Sequence, residues 1–164
     1  MYAYPNIKPA CLPWSETVED LIGKPAIVSG WGSVFSKPPI PLPIGTAHLQ
    51  KVEIEIFGKK KCGLINNDWI TKNMLCAGVM QGGKDSCAMD IGGPLVAKNH
   101  KDNNGAATLI GVVGSRGRVC AKANYPGVYA NVAHYIQNEW LSNLIRQGQT
   151  CEAPQSSDWS LNSI

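Results

Sequence analysis

Six cysteines stand at positions 11, 62, 76, 87, 120 and 151, and three histidines at 48, 100 and 134. These side chains could carry nucleophilic, acid–base or metal chemistry. No Cys-x-x-Cys pair occurs, and no His lies within ligand spacing of a Cys pair, which argues against zinc. An even cysteine count in a chain with 17 glycines and 11 prolines argues instead for disulfides and an oxidising compartment. The histidines stand in no motif. His48 alternates with apolar neighbours in an expected strand, His100 sits in a polar loop, and His134 opens an expected helix, so a structural role is expected for each. The densest grouping of capable residues is Gly82-Gly-Lys-Asp-Ser-Cys-Ala-Met-Asp-Ile-Gly-Gly-Pro-Leu95. It sets two carboxylates, a hydroxyl and a thiol among four glycines. Nothing in the sequence asks for a metal or cofactor.

The chain that must position these residues has 164 of them, enough for one domain with a real core. Hydrophobic residues make up 44% and charged residues 16%, a globular rather than disordered composition. The net charge of +3 is too small to argue for nucleic acid or membrane binding. The densest basic run, Lys59-Lys60-Lys61, reads as a solvated loop. No apolar run approaches membrane-spanning length. The opening Met-Tyr-Ala-Tyr-Pro-Asn lacks the basic and apolar regions of a signal peptide. Disulfides without an export signal suggest a piece of something longer, or a truncated product.

Punctuation is frequent and the apolar runs are short, which predicts a mostly β protein. Candidate strands are Ala26–Trp31, Lys51–Ile56, Pro94–Ala97, Ala107–Val113 and Gly127–Val132. In the second of these, Val52, Ile54 and Ile56 alternate with Glu53 and Glu55, the period of a half-buried strand. Pro38, Pro39, Pro41 and Pro43 mark an extended loop that cannot be an inner strand. Ile136, Trp140 and Leu144 recur every four residues, predicting an amphipathic helix over His134–Arg146. After Gly148 the chain is polar and is expected to be loose. About six strands followed by one helix suggest a small antiparallel barrel.

The segment Gly82–Leu95 resembles the nucleophile loop of the trypsin and chymotrypsin family, whose pattern is Asp-Ser-Cys-x-Gly-Asp-Ser-Gly-Gly-Pro. Four further segments are similar to family landmarks in the same order: Ile7-Lys-Pro-Ala-Cys-Leu-Pro13, Ser29-Gly-Trp-Gly32, Asn73-Met-Leu-Cys-Ala-Gly78 and Pro126-Gly-Val-Tyr129. Trp140 sits where the family's last helix packs. The resemblance runs from about Ile7 to Ile145. It implies the C-terminal half of a trypsin-like fold: a single six-stranded antiparallel Greek-key barrel with a C-terminal helix. The implied organisation is an inter-barrel linker over residues 1–25, the barrel and helix over 26–146, and a polar tail over 147–164.

The resemblance also assigns roles. The family's attacking serine corresponds to Ile91, which has no nucleophilic atom. An amide of the oxyanion hole belongs to a position that is normally Gly and is here Met89. The family's His and Asp lie upstream of the Cys11 segment, and only ten residues precede Cys11, so that barrel is expected to be absent. A vestigial specificity pocket is implied at Asp85, Ser86, Ser115 and Arg116. Asp85 stands where trypsin-like members bind Arg or Lys, and Arg116 could reach it and block it. Asp90 matches the residue that pairs with a new N-terminus after activation, and here it is expected to lack that partner. The implied disulfides are Cys62–Cys76 and Cys87–Cys120, worth about 3 and about 4 kcal/mol in the chain-entropy model. A third family bridge would join positions held here by Ala26 and Ala97. Cys11 and Cys151 could pair with each other or with a partner.

The expected function is that of a non-catalytic, extracellular protease homologue that acts by binding protein in a protease cascade. The expected partner is the missing barrel, a cascade protease or a second copy, with no nucleic acid and no membrane. The alternatives are a truncated or degenerate product without a function of its own and, by family similarity alone, a serine endopeptidase.

Overall fold

The structure, a computed structural model, describes residues 9–15, 17–34, 45–65, 70–98, 106–114, 120–138, 141, 142 and 145. Six strands run in the order β1 (Pro25–Gly30), β2 (Gln50–Phe57), β3 (Met74–Gly78), β4 (Pro94–Lys98), β5 (Ala107–Val113) and β6 (Gly127–Asn131). All their pairings are antiparallel, and they close into a barrel in the order β1-β2-β3-β6-β5-β4. Because β4 returns beside β1, strands β4-β1-β2-β3 form a Greek key. Closure leaves no free edge among the described strands for another chain to extend.

The period-two pattern builds the wall. In β2, Ile54 and Ile56 are buried and Lys51, Glu53 and Glu55 are exposed. The same alternation turns Ala26 and Val28 of β1 inward. They meet Leu95, Ile110, Val113 and Tyr129 in one core cluster. Strand β3 was not among the candidates: four of its five residues are buried, so it shows no alternation. Ala26 on β1 is the register partner of Ala97 on β4, and both side chains are buried. The two alanines expected to replace a bridge therefore face each other across adjacent strands.

Two of the expected bridges are present, Cys62–Cys76 with Cα atoms 6.1 Å apart and Cys87–Cys120 with Cα atoms 5.4 Å apart. Cys11 is also disulfide-bonded, while Cys151 lies outside the described residues. The Cys11 backbone is stitched to β5: its N–H donates to the Ala107 carbonyl and its carbonyl accepts from the Leu109 N–H, each at 2.8 Å. The segment before β1 also forms a short helix, α1 (Val18–Leu21), closed by a capping box. The Thr17 N–H donates to the Asp20 carboxylate at 2.9 Å, and the Asp20 N–H donates back to the Thr17 hydroxyl at 3.4 Å. Leu21 enters the core.

Three expectations need correction. Lys59-Lys60-Lys61 is not loop but the first turn of α2 (Lys59–Ile65). His48 lies in an exposed bend two residues before β2, not in a strand. The terminal helix α3 (Val132–Gln137) starts two residues before His134, because Asn131 caps it with a side chain that accepts from the His134 N–H at 3.3 Å. Leu141 and Ser142 are helical again, and Ile136 is buried, whereas Trp140 and Leu144 lie outside the described residues. So do the proline-rich loop 35–44, His100 and the tail 147–164.

Candidate functional site

The loop between β3 and β4 brings the grouped residues together. Its shape comes from two successive turns. The Asp90 N–H donates to the Cys87 carbonyl at 3.0 Å, and the Gly93 N–H donates to the Asp90 carbonyl at 2.8 Å. In each turn the third residue has positive φ: Met89 at 73° and Gly92 at 85°. Both have the type II form, which favours Gly at that position. Gly92 meets the demand without strain. Met89 meets it in the left-handed region, at about 1–2 kcal/mol. Ile91 takes the second position of the second turn, where its side chain is thrown outward and is 64% exposed.

Asp90 anchors the loop to the end of β1. One carboxylate oxygen accepts from the Gly32 N–H at 2.8 Å, the other from the Cys87 N–H at 2.9 Å. A Cβ at Gly30 or at Gly32 would run into that carboxylate, so both positions need glycine. The Ser33 N–H donates to the Ala88 carbonyl at 2.9 Å, a second tie between the same loops.

Asp85 and Ser86 face different surroundings. The Asp85 carboxylate accepts from the Ser86 N–H and from the Ala121 N–H, each at 2.9 Å, and so joins the loop to the turn that holds Cys120. Ser86 is buried, and its hydroxyl pairs with the Tyr129 hydroxyl at 3.2 Å. Asp85, Ser86, Cys87 and Asp90 line one cavity of about 540 Å³, together with Lys84, Lys51 and the end of β1. Ser115 and Arg116 lie outside the described residues, and with them the expected block of Asp85.

An uncovered apolar face is expected on the side where a second barrel would pack, but its residues were not read from the sequence. Five of the eight large apolar side chains exposed among the described residues sit on three neighbouring loops: Trp31, Val34, Leu49, Met89 and Ile91. The loops are tied at 2.9 Å from the Thr46 N–H to the Trp31 carbonyl, and by the Ser33–Ala88 bond. Met89 also packs over Gly45: its terminal methyl would lie 3.4 Å from a Cβ built there. The signal available in the sequence was the apolar pair Met89 and Ile91 inside a glycine-rich loop.

A family model described as Trypsin matches residues 3–140. The chain belongs to the trypsin family. It is 37% identical over 140 residues to transmembrane protease serine 11G of Rattus norvegicus, covering 84% of this chain and 31% of that protein. It is 41% identical over 123 residues to trypsin eta of Drosophila melanogaster, covering 74% of this chain and 40% of that protein. Among solved structures it is similar to neuropsin, a serine protease expressed in the limbic system of mouse brain. That likeness has a TM-score of 0.65 at 30% identity, over 85% of this chain and 55% of that one. The chain thus spans less than half the length of the two curated relatives. Among the described residues, no helix is long and apolar enough to cross a membrane.

Proposed function

We propose that this trypsin-family chain is non-catalytic and works outside the cell by binding protein, as a decoy or scaffold in a protease cascade. The observation that carries the reading is Ile91. It stands where the Asp-Ser-Gly-Gly-Pro pattern has its attacking serine, and its exposed side chain offers neither a nucleophilic atom nor a proton to give. That objection to catalysis holds whatever lies upstream of this chain. Met89 adds to it, since the oxyanion position takes a left-handed backbone here with a bulky side chain in place of none.

The crest of Trp31, Val34, Leu49, Met89 and Ile91 supports binding as the replacement activity. Grouped exposed apolar side chains mark interaction surfaces, and aromatic and methionine side chains are enriched at their centres. A closed barrel with a continuous core favours a folded product over a degenerate one. Two disulfides and a bonded Cys11 favour an oxidising, extracellular setting.

A double substitution, Trp31→Glu with Ile91→Glu, tests the crest. The unsubstituted chain should bind a hydrophobic dye and self-associate or capture a partner, and the double variant should lose both while keeping its circular dichroism. A soluble monomer that binds no dye at high concentration contradicts the proposal.

A further inference from the structure

A second cleft, of about 220 Å³, opens between α1, α2 and α3 and shares no lining residue with the first. Its volume falls below the roughly 300–1,000 Å³ of small-molecule and cofactor sites. It suits one side chain of an extended segment. The lining includes Phe57 and Ile70, both buried beside the Cys62–Cys76 bridge in a small apolar cluster. Lys59 and Lys72 line it too, both exposed. Glu19 is the one carboxylate among the described lining residues. The neighbouring Asp20 carboxylate is held in the capping box by Thr17.

Positive charge is concentrated here beyond what the fold requires. Lys59, Lys60 and Lys61 are all exposed in the first turn of α2, which holds no acidic residue. Lys61 sets its ammonium 4.0 Å over the Phe57 ring, the same ring that lines the cleft. Among the described residues of α1, α2 and 70–73, four lysines, Lys72 included, stand against Glu19 and Asp20. Cations are unfavourable where a helix begins. A negatively charged occupant relieves that effect.

We infer that this cleft docks an acidic peptide segment from a protein partner. One apolar side chain of the segment enters against Phe57 and Ile70, and flanking carboxylates meet Lys59 and Lys72. The site is separate from the apolar crest and does not depend on the chain being non-catalytic.

The test is fluorescence anisotropy with a labelled peptide that alternates Asp and Leu, titrated with the full chain. The peptide should bind, and more weakly as ionic strength rises from about 0.01 M to about 0.1 M, where the screening length shrinks from about 30 to about 10 Å. Lys59→Glu with Lys72→Glu should weaken binding by roughly tenfold or more. The control pair Lys51→Glu with Lys84→Glu, on the other cavity, should leave it unchanged. With the unsubstituted chain, replacing Asp by Asn or Leu by Ser in the peptide should each weaken binding, which keeps the test free of any folding defect. Absence of binding, equal loss in both lysine pairs, or full binding of the Asp–Ser peptide overturns the inference. The last result would describe a surface for polyanions in general.

Discussion

Strand β2 and the loop at 85–93 are shaped by different parts of the chain. In β2 the side chains decide: Ile54 and Ile56 turn inward, Glu53 and Glu55 turn outward, and a one-residue slip would reverse them all. In the loop the backbone decides. Two tight turns, two backbone donors on Asp90 and the glycines at 30, 32 and 92 fix its course. The exposed side chains of Met89 and Ile91 make none of these hydrogen bonds. The form of this loop therefore does not depend on which side chain stands at position 91, whereas the wall has no such freedom. That is why Ile91 coexists with an intact Asp90 anchor.

The largest effect should come from the wall. Leu95→Ala removes a fully buried side chain from the core and should destabilise by about 2–5 kcal/mol in denaturant unfolding. A loss under about 1 kcal/mol would mean that the core repacks freely and that the contrast with the loop is false. Next comes the replaced bridge. Ala26→Cys with Ala97→Cys places thiols on paired positions and should form a disulfide, since cross-strand partners lie within bridging distance. The chain-entropy model allows up to about 4 kcal/mol of stabilisation for such a loop, with any strain subtracted. Free thiols in the oxidised double variant would show that β1 and β4 are not in this register.

Within the loop the effects should be smaller and of both signs. Gly32→Ala puts a methyl into the Asp90 carboxylate and should destabilise by about 1–3 kcal/mol, the range for a lost buried hydrogen bond. Wild-type stability in that variant would remove Asp90 as the anchor. Met89→Gly relieves the left-handed strain and should stabilise by about 1 kcal/mol, a rise of roughly 2–4 °C in Tm. A fall in Tm would mean that the Met89 contact over Gly45 outweighs the strain.

How far the sequence could be read follows the same division. Strand β2 was legible because one of its faces is buried. Strand β3 was not, because nearly all its residues are buried and period two disappears. Helices α1 and α2 are too short for an apolar period. The Thr17–Asp20 capping box was a readable sign of α1, but α2 offered three lysines and a glycine in seven residues. The two described bridges and the facing alanines were legible only through the family pattern, since spacing alone leaves every pairing open. An uncovered apolar face was expected, but the residues of the crest were hidden because they lie up to 60 positions apart, from Trp31 to Ile91, and are joined through backbone bonds that no local pattern announces. Asp90 was expected to lack its usual partner, an N-terminal amine; the two backbone N–H groups that its carboxylate accepts from were not read from the sequence.

The central claim is the proposal that this chain is non-catalytic, with the loop's geometry kept around Ile91. The most direct measurement treats the purified, disulfide-intact protein, free of host proteases, with a serine-directed fluorophosphonate probe, and follows an Arg-ester substrate in parallel. A Ser hydroxyl reacts with such a probe only when a base activates it, and Ile91 has no hydroxyl at all. The account predicts no labelling and hydrolysis at the buffer rate. Stoichiometric labelling of any serine, or turnover that the probe abolishes, would show that another residue supplies the nucleophile and would contradict the claim.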